Sequence, residues 1–129
     1  MTRLRDKNSS AIVAVKNLAA ARDFYEQTLG LEVADASMEA QGAVGYRTGG
    51  TLLTVYQSEF AGTNKANAVT WAAGEDFDAI IADLRNKGVA FEHYDLPGLA
   101  FENGVHADGE IKLAWFKDPD GNILHIMNF

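Results

Sequence analysis

The chain repeats itself, and the repeat limits its fold more than any other feature. The apolar stretch Ala11–Val15 returns as Ala68–Ala72 at an offset of 57 residues. Gly30 returns as Gly88 at an offset of 58, and Gly50 as Gly121 at an offset of 71. Each half reads as strand, helix and then three strands. In the first half, Ala11–Val15 is apolar on both faces, as a doubly buried strand must be. Asn17 suits a helix cap, and Leu18, Ala21, Phe24, Tyr25, Thr28 and Leu29 follow at helical spacing until Gly30. Leu31–Val33 begins a strand, residues 34–42 take no assignment, and Ala43–Thr48 and Leu52–Tyr56 flank the Gly49-Gly50 turn.

Residues 57–67 read as a linker. In the second half, a helix runs from Asp76 to Lys87 with Phe77, Ile80, Ile81 and Leu84 on one face, and Val89–Glu92 is a strand. The widened offset puts extra residues at 95–110, a long polar loop that reads as a lid carrying Glu102, His106 and Asp108. The last hairpin joins Ile111–Lys117 to Ile123–Met127 through Asp118-Pro119-Asp120-Gly121-Asn122. Pro119 presets φ there and Gly121 takes the positive φ, so Asp118 and Asp120 belong to the turn and not to an acid–base pair. Neither half can bury both faces of its sheet alone. The expectation is therefore one α+β domain over 1–129, behind a polar lead-in at 1–9. Its two βαβββ modules, about 10–58 and 67–129, form a curved mixed-sheet cup with helices outside.

The absence of cysteine excludes disulfides, thiolate metal sites and a Cys nucleophile. No apolar run approaches 18 residues and no secretory leader is evident, so a cytoplasmic protein is expected. No membrane partner is expected either, and a net charge of −7 argues against nucleic acid. It favours a cationic ligand only if the acids line a cleft, and solubility is the simpler reading. No nucleophile elbow or phosphate loop is present.

The segment Val15-Lys16-Asn17-Leu18, with Asp23-Phe24-Tyr25-Glu26 and Leu29-Gly30-Leu31, resembles the opening motif of the vicinal oxygen chelate superfamily. That superfamily includes glyoxalase I, bleomycin-resistance proteins, extradiol dioxygenases and fosfomycin-resistance enzymes. Phe116-Lys117-Asp118-Pro119-Asp120-Gly121-Asn122 is similar to its second signature, and the resemblance covers nearly the whole chain. It implies paired βαβββ modules, a cup, and a homodimer, since many relatives of this size complete their cups by pairing. Metal-dependent members place a His or Glu on the first and fourth strands of each module. Those positions fall here at about Ser10, Thr54, Ala68 or Val69, and His125, and Thr54 and His125 each lie four residues after their turn glycine. Only His125 is a good ligand, whereas a catalytic divalent ion generally needs about three. No metal-ligating residue and no cofactor is therefore expected.

His125 is the one polar side chain in its strand, and strand parity puts Leu113, Trp115, Ile123 and Met127 on its side. Leu52, Thr54 and Tyr56 face the same cup from the first module, with Tyr46 and Trp71 as further aromatic candidates. In the fosfomycin-resistance relatives an aromatic at the Trp115 position faces substrate. An aromatic-lined pocket with few polar groups suits a planar or partly apolar molecule. Two functions follow. One is a metal-free small-molecule-binding protein, analogous to the bleomycin-resistance proteins. The other is a glyoxalase-like lyase or isomerase that uses His125 as general base or as part of a metal site. A divalent metal held through residues such as Glu102 or His106 is a third alternative. The competing role for His125 and Trp115 is plain core packing.

Overall fold

Alternation of apolar residues along the strands decides which way each sheet faces. The structure is a computed structural model and describes residues 3–129, so residues 1 and 2 of the expected polar lead-in lie outside the described residues. In the first sheet β1 (Ala11–Val15) runs parallel to β4 (Thr51–Gln57). Strand β4 pairs antiparallel with β3 (Ala43–Thr48), and β3 with β2 (Glu32–Asp35). The second sheet repeats this order with one strand more. There β5 (Asn67–Ala72) runs parallel to β9 (Ile123–Met127), followed by β8 (Ile111–Lys117), β7 (Val105–Asp108) and β6 (Ala100–Glu102). The α+β architecture expected from the repeat is thus observed. The sheets meet where β1 lies beside β5, but no ladder joins them there, so four- and five-stranded sheets build the cup.

Each sheet carries a helix on its outer face. The first, α1 (Leu18–Asp23), begins where the Asn17 Oδ1 accepts the Ala20 N–H at 3.0 Å. It then widens, the Leu29 N–H reaching back to the Phe24 carbonyl at 3.0 Å, before Gly30 closes it at φ +72°. The second, α2 (Phe77–Asn86), buries Phe77, Ile81 and Leu84 against the second sheet, and Ile80 lies at the exposed edge of that face. Val13, Val15, Val44, Tyr46, Leu53 and Val55 meet Ala21 and Tyr25 under α1. Together with Ala114, Phe116, Leu124 and Ile126 under α2 they form one continuous core. Each such large side chain contributes about 1.5–3 kcal/mol on burial. Among the described residues no helix is long and apolar enough to cross a membrane.

The two resembling motifs meet in space. The Tyr25 hydroxyl donates to Asp118 Oδ2 at 2.8 Å, and Asp118 also accepts the backbone N–H groups of Asp120 and Asn122 and the Asn122 side-chain amide. The same amide donates to the Ala14 carbonyl at 2.8 Å, and the Lys16 N–H donates to Asp120 Oδ2 at 3.2 Å. The Asp-Pro-Asp-Gly-Asn turn is therefore the clasp between modules.

Two expectations for the second half change. Val89–Glu92 keeps only a bridge between Phe91 and Phe116 and one bond from the Glu92 N–H to the Trp115 carbonyl at 2.8 Å. The stretch 95–110 is no open loop, because β6 and β7 form a hairpin and β7 pairs with β8.

Candidate functional site

The residues that alternate with the core make the concave faces. On the first sheet Ile12 lies beside Thr54, Thr54 opposite Gly45, Leu52 opposite Arg47, and Tyr56 beside Ala14. This face is bare, with Ile12 60%, Leu52 40% and Tyr56 37% exposed. On the second sheet His125 lies beside Thr70 and opposite Trp115, and Leu113 lies opposite Met127. The β8–β9 register is unbroken, so Leu113, Trp115, Ile123, His125 and Met127 share one face. The sequence candidates thus form two groups: Leu52, Thr54 and Tyr56 on β4, and the β8–β9 set on the other sheet.

Trp115 and His125 stack with ring centres 4.5 Å apart and planes 20° apart. The indole N–H donates to Asn67 Oδ1 at 3.1 Å, which fixes the ring. His125 Nδ1 lies 3.0 Å from the Ala114 carbonyl oxygen. A carbonyl can only accept, so Nδ1 carries the proton and Nε2 keeps a lone pair. Burial disfavours the imidazolium and holds the His125 pKa below the ordinary histidine value, with the Ala114 carbonyl pulling the other way. Near neutral pH the ring is uncharged and offers an acceptor at Nε2.

The structure adds His106, which the sequence places on a lid loop. It lies opposite Leu113 on β7, is 1% exposed, and sets its ring edge-on to Trp115 at 5.0 Å. Tyr94 meets the same indole edge-on at 5.4 Å, and Phe101 packs on His106 at 4.8 Å. His106 Nε2 contacts the Tyr94 backbone N–H and carbonyl at 3.0 and 3.1 Å. The Tyr94 hydroxyl and His106 Nδ1 are buried without a hydrogen-bond partner. Glu102 and Asp108 are exposed and do not join this cluster. Tyr46 is buried beneath α1, its hydroxyl donating to Glu26 Oε2 at 2.8 Å, and Trp71 packs against the core on the helix side.

A sequence profile of the Glyoxalase/Bleomycin resistance protein/Dioxygenase superfamily matches residues 9–126, and the chain belongs to that superfamily. No curated protein matches it significantly. Among solved structures it is similar to the glyoxalase/bleomycin resistance protein from Catenulispora acidiphila, with 24% identity, a TM-score of 0.68, and 93% of this chain and 96% of that one covered. It is similar to the glyoxalase/bleomycin resistance protein/dioxygenase from Alicyclobacillus acidocaldarius, with 19% identity, a TM-score of 0.68, and 98% and 93% covered. Oxidase ChaP-H2 is a further likeness, at 22% identity and a TM-score of 0.65, covering 95% of this chain and 93% of that one. At these identities the likeness is one of fold.

The resemblance implies ligand positions at about Ser10, Thr54, Ala68 or Val69, and His125. Thr54 lies beside Ile12 and His125 beside Thr70, whereas Val69 pairs with the buried Leu124, Ala68 brings no ligand atom, and Ser10 lies in the segment leading into β1. The donors there are hydroxyls and one imidazole. Among the described residues no three His, Cys, Asp or Glu side chains converge to hold an ion. This donor set does not fit a catalytic divalent metal.

Proposed function

We propose that the chain is a metal-free small-molecule-binding protein that holds an organic ligand on the concave faces of its two sheets. Leu52, Thr54, Tyr56, Leu113, Trp115, His125 and Met127 are its contacts. The observation that carries the reading is the donor set around Trp115, where the imidazoles of His125 and His106 stand among aromatic and aliphatic neighbours and, among the described residues, no third ligand converges. The chain acts as a homodimer in this reading. A planar ligand gains from the Trp115 face, and one with a donor group gains from His125 Nε2.

The neutral His125 with its free Nε2 favours a second reading, a glyoxalase-like lyase or isomerase in which His125 is the general base. A small aromatic ligand found by thermal-shift screening separates the two. For the binding protein, Trp115→Ala lowers affinity at least as much as His125→Ala, and no ligand is converted. Turnover that disappears in His125→Ala while binding survives would replace the first reading with the second.

A further inference from the structure

One cavity stands against the overall charge of the molecule. It opens at the concave side of the first sheet, where the segment leading into β1 meets the β3–β4 turn, and holds about 550 Å³. Lys7, Arg47, Ser9 and Ser10 line it with the backbone of Gly49 and Gly50, and no carboxylate does. In a chain of net charge −7 this is a local reversal of sign. Among the described residues neither Lys7 nor Arg47 forms an ion pair. Glu32 is the cross-strand neighbour of Arg47 and remains outside ion-pair distance. Neither turn glycine gives its N–H to a backbone hydrogen bond. Gly49 has φ +55°, and nothing lies within 4 Å of a Cβ placed on either glycine, so the backbone there is open to a ligand.

A forked guanidinium, an ammonium, two hydroxyls and free backbone N–H groups form a donor set for an oxyanion with several oxygens. Leu52 lines the same cavity and continues into the bare apolar row with Ile12 and Tyr56. We infer that the first module recognises an organic phosphate monoester, with the phosphate between Lys7 and Arg47 and the organic body along Leu52 toward Ile12. This rests on the reading of the cup as an organic-ligand site and names the chemical class of that ligand.

The test uses the full chain and three probes: phenyl phosphate, inorganic phosphate and benzyl alcohol. Amide chemical shifts and binding constants are followed in the wild type and in Lys7→Gln and Arg47→Gln. Phenyl phosphate should shift the Ser9, Ser10, Gly49 and Gly50 amides, bind more tightly than either other probe, and weaken about ten-fold in Arg47→Gln. If phenyl phosphate binds no better than benzyl alcohol, and equally in the variants, the anion site is overturned and the apolar cup stands. If inorganic phosphate binds as tightly as phenyl phosphate at these amides, the cradle stands and the organic-ligand reading of this face fails. If no probe shifts these amides, the inference is wrong.

Discussion

His125 is 7% exposed in an apolar strand, and that burial ties the stability of the chain to pH. Its protonated form is disfavoured by burial, so the folded chain resists a proton that the unfolded chain accepts below the ordinary histidine value of about 6.5. Stability linked to this residue is complete above that pH and is lost as pH falls toward the lowered folded value. Urea denaturation at pH 7.5 and pH 5 should show a smaller acid loss in His125→Gln than in the wild type, and an equal loss would contradict the assignment. His125 was legible in the sequence because it interrupts an apolar strand whose parity is fixed by a strong turn. His106, buried still more deeply, was not, because its strand is only four residues long in a polar stretch and only the pairing of β7 with β8 turns it inward.

At the scale of elements, close approach explains one glycine that the linker reading passes over. Gly62 sits at φ +73°, and a Cβ there would lie 2.0 Å from the Asp120 carbonyl oxygen, a backbone atom of the intermodule clasp. Gly62→Ala should destabilise the chain by about 1–3 kcal/mol, through strain at positive φ and displacement of the clasp. Gly49→Ala, also at positive φ but with nothing within 4 Å, should cost less in the same denaturation experiment. Equal losses would mean that the approach to Asp120 carries no weight. The helices, the Asn17 cap and the last hairpin were legible because each has a local signature. The β6–β7 hairpin had one too. Asn103 and Gly104, both at positive φ, join Glu102 to Val105 as a two-residue turn, and Asn-Gly is a strong hairpin signal. It was masked by flanking strands of only three and four residues, too short for an alternating pattern to stand out.

For the whole molecule, the repeat made the two-module fold legible, and its two motifs prove to be structural partners through Tyr25 and Asp118. The break between β1 and β5 was not legible, since edge-to-edge approach without a ladder leaves no local pattern. Net charge has a related limit. It is a sum over the surface and says nothing of the Lys7 and Arg47 cluster at one end of the cup. We propose that this cup works without a metal, because its aromatic face offers two imidazoles, His125 and His106, where about three ligands are needed. Elemental analysis of untagged protein, offered zinc, nickel, manganese and iron in turn and then desalted, tests it most directly. The wild type should retain no stoichiometric metal. One retained ion per chain, lost in His125→Ala, would contradict it.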